Sequence, residues 1–321
     1  MFLNNLLSII IPSYNEEGNI ENTTNTVLNI CSEAKINCEI IFVSDGSKDN
    51  TYSAISKMSQ KHNNIRGIEF SRNFGKEAAI LAGLSVGNGD CFVVMDCDLQ
   101  HPPETIVEMY RLWEQGFEVV EGIKRSRGDE SFLHKAFANT FYKIISKLTG
   151  FNMGDTSDFK LIDKRVAEVL ITIPERKTFF RALTFWVGFK TCSIQYDVAE
   201  RTIGNTKWST KSLIKYAVNN IISFSAAPLN LVTYLGIATL FFSFILGAQT
   251  LIRYFTNNAI EGFTTVILLI LIMGGCILIG LGIVGKYIAA IYEEIKQRPR
   301  YIIALDTAKE NSEEINVEKE R

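Results

Sequence analysis

The chain opens as an alternation of short apolar runs and longer stretches in which apolar residues recur at helical spacing. Leu7 to Ile11, Cys38 to Val43 and Cys91 to Met95 are continuous apolar runs of strand length, the pattern of strands covered on both faces. Ile65 to Phe70 reads as a further strand. Each run stops in a polar turn, and helices are predicted after Glu17, from about Thr51 to His62, from Lys76 through Val86, and from about Pro103 to Gln115. Four such strand–helix alternations predict a parallel, doubly wound α/β sheet. Further strands are predicted at Phe117 to Gly122, within 152–163 and at Thr191 to Val198, with helices over about Leu133 to Leu148 and after Asp163.

The pattern then changes. Leu229 to Ile252 and Thr265 to Ile291 are apolar runs almost without charge, each longer than the roughly 20 residues that cross a bilayer. They predict a two-helix membrane hairpin. Just before it, Leu213, Ile214, Ala217, Ile221 and Phe224 fall on one helical face opposite Lys211, Lys215 and Asn219, with Trp208 at the start. That pattern suits a helix lying in the membrane interface, although a core-packed amphipathic helix has the same spacing. Lys215, Lys286 and the Lys296 to Arg300 segment lie on one side of the hairpin, which places both chain ends in the cytosol. The expected division is a catalytic domain over 1–206, an interface helix over 207–227, two spans over 228–292 and a cytosolic segment over 293–321 whose polar end, from Asp306, is disordered. The N-terminus has no basic region ahead of its apolar stretch, so no signal peptide is expected.

Composition narrows the reading. With 321 residues, 47% hydrophobic and a net charge of −2, the chain can bury a full core and carries no basic excess suited to nucleic acid. Six cysteines without a C-x-x-C pair read as reduced packing thiols, neither a disulfide framework nor a zinc site.

The candidate chemistry gathers where the strands end. Asp96 and Asp98 close the fourth run, and side-chain alternation along a strand would direct both carboxylates to one side. In an open α/β sheet that end is where ligands bind. Two close carboxylates make sense around a divalent cation such as Mg²⁺ or Mn²⁺ that meets a polyphosphate. Taken alone, D-x-D is equally compatible with a solvated turn capping the next helix. Asp45, after the second strand, could accept hydrogen bonds from a ribose or base, or simply bind its own turn. Lys76 and the cationic loop Lys124-Arg125-Ser126-Arg127 share the same edge, where such charges can meet a phosphate or be an ordinary solvated face.

Together Pro12-Ser13-Tyr14-Asn15-Glu16, Ser44-Asp45-Gly46-Ser47, Asn73-Phe74-Gly75-Lys76 and Asp96-Cys97-Asp98-Leu99-Gln100-His101-Pro102-Pro103-Glu104 resemble glycosyltransferase family 2. More narrowly, the chain is similar to the polyprenyl-phosphate glycosyltransferases, the likeness extending over the apolar runs and Arg298-Pro299-Arg300-Tyr301. The resemblance implies a GT-A nucleotide-sugar-binding domain. It implies that Pro12, Tyr14, Asn15, Glu16, Asp45 and Lys76 bind the nucleotide sugar, and that Asp96 and Asp98, with Gln100, hold metal and diphosphate. The family's G-x-R-x-x-R loop reads Gly122-Ile123-Lys124-Arg125-Ser126-Arg127 here, so Arg127 matches while Lys124 keeps charge without a fork. Lys124, Arg127, Arg201 and Lys207 are then expected on the acceptor phosphate, and Asp158 matches an aspartate of a later motif.

The implied reaction is inverting transfer of a sugar, first of all glucose from UDP-glucose, to undecaprenyl phosphate at the cytosolic membrane face. The same reaction with UDP-N-acetylglucosamine, UDP-galactose or GDP-mannose is the alternative, and a homo-oligomer is expected. A processive polysaccharide synthase calls for more spans and a Q-x-x-R-W motif, which Phe180-Arg181-Ala182-Leu183-Thr184-Phe185-Trp186 does not fit. A membrane-tethered sugar-nucleotide-binding partner without turnover is the rival from another class.

Overall fold

Leu6–Ser13 (β1), Asn37–Ser44 (β2), Ile65–Phe70 (β3) and Cys91–Val94 (β4) alternate with Ile20–Glu33 (α1), Thr51–Lys61 (α2), Lys76–Val86 (α3) and Glu104–Glu114 (α4) in the computed structural model. Val119–Lys124 (β5), Lys160–Asp163 (β6), Lys164–Thr172 (α5), Phe180–Trp186 (α6) and Thr191–Tyr196 (β7) follow, then Ala227–Phe255 (α7), Phe263–Ile295 (α8) and Ile303–Asp306 (β8). The structure describes residues 5–125, 157–175, 178–197, 227–256 and 262–309. The helices expected over 133–148 and 212–224 lie outside the described residues.

All eight strands form one sheet in the order β7-β5-β6-β4-β1-β2-β3-β8. The four central strands run parallel, with Ile10 registered between Ile41 on β2 and Val94 on β4. Ile9, Ile11, Ile40, Phe42 and Val93 are fully buried on one face in a cluster with Ile20 and Val27 of α1, Ile55 of α2 and Ile106 and Met109 of α4. Each such side chain removed from water contributes about 2 kcal/mol. The other face receives α3, which comes so close to β1 that a Cβ on Gly83 would collide with the Ile10 side chain. Cover on both faces is why these strands read as continuous apolar runs.

Three features differ from the sequence reading. First, β4 ends at Val94, so Asp96 and Asp98 stand on the following loop and strand alternation does not set their direction. Nor do they cap α4, whose first turn has no side-chain cap. Second, β6 runs antiparallel between β4 and β5. Third, the chain after α8 returns to the sheet: β8 pairs antiparallel with β3, and Asp306, expected to open a disordered tail, is buried.

Two compact units result, one of Met1–Lys207 with Arg298–Arg321 and one of Trp208–Gln297. The second unit is therefore an insertion in the first along the chain. Its two described helices contain Pro228–Thr250 and Leu269–Ile295, both long and apolar enough to cross a membrane. Their large apolar side chains face outward, Phe244 being 78% and Leu278 70% exposed.

Candidate active site

The antiparallel course of β6 builds the acidic end of the site. Val94 pairs with Lys160 at the end of the ladder, and just beyond it Asp96 and Asp158 come close enough for one ammonium to meet both. Two carboxylates so placed repel each other, and Lys76 at the first turn of α3 comes between them. Its Nζ lies 2.5 Å from Asp96 Oδ1 and 3.0 Å from Asp158 Oδ2. Arg181 on α6 then grips Asp158 with both arms of its fork, Nε to Oδ1 at 2.6 Å and Nη2 to Oδ2 at 2.8 Å. Bidentate pairing of this kind fixes direction as well as charge.

Burial alone would raise the Asp158 carboxyl, but Lys76 and Arg181 outweigh it and hold that carboxyl well below the usual carboxylate range. Asp96 behaves alike: burial works upward, and the Lys76 charge overrides it. Lys76 itself, penalised by burial, is raised by its two acidic neighbours. Glu77 goes the other way. Burial, with Asp158 nearby, pushes its carboxyl up to about 7, while it accepts a 2.8 Å bond from Phe180 N. Beneath them Lys160 is fully buried, bonded to Glu121 Oε1 at 2.5 Å and Thr184 Oγ1 at 2.7 Å. Helix α6 is thus pinned to the site through Phe180, Arg181 and Thr184. His101 stacks on Phe159 at 4.7 Å and takes Asp96 N on Nδ1 at 3.5 Å, and burial lowers its pKa against the opposing pull of the Asp96 charge.

At the other end, the loops after β1, β2 and β3 are sewn together through backbone groups. Asn15, at φ +56°, accepts Lys48 N on its side-chain oxygen at 2.8 Å, and Glu16 N donates to Thr51 Oγ1 at 2.9 Å. The Glu16 carboxylate takes Asn19 Nδ2 at 2.6 Å. Asp45 is buried and accepts Phe74 N at 2.6 Å and Gly75 N at 2.9 Å. Burial raises its carboxyl, and those two N–H groups partly offset the rise. So Asp45 bonds neither its own turn nor open space; it clasps the loop after β3. Gly46, at φ +63°, is required there because a Cβ would run into the backbone of Arg72 and Asn73. Tyr14 is exposed at the same end, and Pro12 is half-buried on β1.

Of the residues expected to matter, the structure brings Lys76, Asp96 and Asp158 into direct contact and gives Asn15, Glu16 and Asp45 loop-holding partners. Asp98 Oδ1 accepts Gln100 N at 3.2 Å, and Lys124 is exposed at the end of β5. Arg127, Arg201 and Lys207 lie outside the described residues. Arg181, Glu77 and His101 were missed. Arg181 had one signal, the lone charge in a seven-residue helix of mostly apolar residues, which has to find a charged partner if that part of the helix is buried.

Among the described residues no three His, Cys, Asp or Glu side chains converge as a metal cage. Asp96, Asp98 and the Gln100 amide nevertheless offer hard oxygens on one turn, and Mg²⁺ is commonly held by one or two carboxylates plus substrate phosphates. The donor set therefore fits a cation that arrives with a diphosphate.

Residues 8–170 match the family described as "Glycosyl transferase family 2". An uncharacterized glycosyltransferase, YkcC, of Bacillus subtilis (strain 168) is 38% identical over 306 residues, covering 95% of each chain. A prophage bactoprenol glucosyl transferase homolog of Escherichia coli (strain K12) is 36% identical over 299 residues, covering 92% of this chain and 98% of its own. Among solved structures, the glucosyl-3-phosphoglycerate synthase of Mycobacterium tuberculosis, crystallised with Mn²⁺, UDP and phosphoglyceric acid, superposes with a TM-score of 0.50. At 15% identity over 68% of this chain and 76% of that one, it shows the shared GT-A-like fold. By the family match and by relatives aligned over almost its whole length, this chain belongs to glycosyl transferase family 2.

Proposed function

We propose that this glycosyltransferase passes a hexose, glucose from UDP-glucose, to undecaprenyl phosphate at the cytosolic face of a membrane. The observation that carries the reading is the Asp96–Lys76–Asp158–Arg181 cluster at the carboxyl end of β4, in a chain 36% identical to a bactoprenol glucosyl transferase homolog. A lipid phosphate oxygen attacks the anomeric carbon, the bond from that carbon to the nucleoside diphosphate breaks, and its electron pair leaves with the diphosphate. One displacement inverts the carbon, so an α-linked donor yields a β-linked lipid phosphate sugar.

The nucleophile is already an anion near pH 7 and needs no strong base. That agrees with Asp158, whose depressed carboxyl is a poor proton acceptor and which serves to orient Lys76 and Arg181. Lys76 keeps its charge beside Asp96, where the diphosphate is proposed to sit, and stabilises charge developing there. Pro12, Tyr14 and the loops closed by Asn15, Glu16 and Asp45 form the nucleoside end. Lys124, Arg127, Arg201 and Lys207 are assigned to the lipid phosphate, positioning it for in-line attack. Asp96 and Asp98, with Gln100, would hold Mg²⁺ or Mn²⁺, whose chemistry when bound is to neutralise the departing diphosphate. The two apolar helices are proposed to span the bilayer with both chain ends cytosolic, supported by Lys286, Lys296, Arg298 and Arg300 on one side of the hairpin.

The test is a donor panel with undecaprenyl phosphate and the full chain in detergent, with mass analysis of the lipid product. A hexose–phosphate–lipid product that disappears on adding EDTA is expected. No lipid product with any donor overturns the transfer reaction, and full activity in EDTA removes the metal from it.

A further inference from the structure

The chain leaves α8 and rejoins the first unit along β3, with contacts made by Tyr301, Ile302, Asp306 and Thr307 in and around β8. Tyr301 stacks on Phe70 with centroids 5.1 Å apart and planes 12° from parallel, and its hydroxyl lies 3.0 Å from Ser85 Oγ on α3. Ile302 O accepts Ser71 N at 3.0 Å. Arg66 forks onto Asp306 at 3.1 and 2.8 Å, and Gly67 N donates to Thr307 Oγ1 at 2.9 Å.

Apart from the Ser85 contact on α3, these fall on β3 and on the first residue of the loop that follows it. Phe70, covered by Tyr301, meets Phe74 edge-on at 5.7 Å. Phe74 and its neighbour Gly75 donate to Asp45, and the next residue is Lys76, between Asp96 and Asp158. Three rings, Tyr301, Phe70 and Phe74, therefore run in a row from the edge of the sheet to the backbone groups that set both ends of the site. Stacked and edge-on pairs fix ring orientation as well as burying area.

We infer that Tyr301 is a positioning residue of the donor site: through Phe70 and Phe74 it holds the 71–76 loop against Asp45 and so fixes where Lys76 stands. Calling the crevice a donor site rests on the proposed transfer reaction; the mechanical link does not. The segment after the apolar hairpin is thus a working part of the catalytic unit.

The experiment compares wild type, Tyr301→Ala, Tyr301→Phe and Asp306→Asn as full chains in detergent. Hydrogen exchange without ligand reads the loop. In Tyr301→Ala the Phe74 and Gly75 amides should exchange about tenfold faster while β1 and β4 are unchanged, and Tyr301→Phe, which keeps the stack, should match wild type. Asp306→Asn, which weakens the clamp and spares the rings, should give a smaller change of the same sign. In turnover, Tyr301→Ala should lower kcat/KM for the nucleotide sugar about tenfold, with the lipid phosphate KM within about twofold. Unchanged exchange at 71–76, faster exchange spread over the whole sheet, or an unchanged kcat/KM for the donor overturns the inference. Should the wild type turn over no nucleotide sugar, the proposed reaction falls and the exchange comparison alone decides this one.

Discussion

The two ends of the site are held in different ways. At the acidic end, charge is set against charge: Lys76 and Arg181 against Asp96 and Asp158, side chain on side chain. At the other end, proposed for the nucleoside, the partners are mostly backbone, with Asn15, Thr51 and Asp45 each closing a loop through a main-chain N–H. The first arrangement concentrates field where charge is to be moved, and losing one member strands the others. The second spreads the work over many modest bonds of about 1 kcal/mol each, so that losses are graded.

Substitutions can break that contrast. Asp96→Ala should have the largest effect, lowering transfer about 10³-fold in a labelled-lipid assay, because it removes both the proposed diphosphate-end ligand and a partner of Lys76. Arg181→Ala should come next. With the pair partly open to solvent, about 2 kcal/mol of stability should go, seen as a melting temperature about 5 °C lower, and Arg181→Lys should recover only part of it because it lacks the fork. Asn15→Ala, at the other end, should raise donor KM only about fivefold and leave kcat alone. Equal losses for Asn15→Ala and Asp96→Ala would erase the distinction.

The smallest effect sharpens the comparison through pH. The Asp96 and Asp158 carboxyls are depressed, so their ion pairs are complete above the ordinary carboxylate range and dissolve only as pH falls below about 4. Glu77 is raised to about 7, so what it contributes is present below about pH 4.5 and is lost as pH rises through 7. Melting temperature should therefore decline gently from pH 5.5 to 8, and Glu77→Gln, whose amide oxygen still accepts Phe180 N, should flatten that slope. An unaltered slope in the variant would mean that Glu77 is not the group responsible.

The insertion of the apolar hairpin bears on the same contrast. Because β8 belongs to the sheet, both ends of the site share one scaffold that closes only when the chain has passed through both apolar helices and come back.

Much of this was written in the sequence. The four parallel strands, their helices and the two apolar runs follow from periodicity, because a strand covered on both faces and a helix apolar all round each read as a continuous apolar run. The D-x-D turn, Lys76 and Asp45 also announced themselves, as polar residues at the ends of apolar runs. What the sequence left undecided was adjacency. A buried strand looks the same whether its neighbour is parallel or antiparallel, so nothing in Lys160 to Asp163 told that β6 reverses and brings Asp158 to Asp96. Arg181 and Tyr301 act only across gaps of 23 residues to Asp158 and 231 to Phe70, and local pattern carries no information over such distances. Periodicity determined which side chains are hidden, and only the folded chain decided which of them meet.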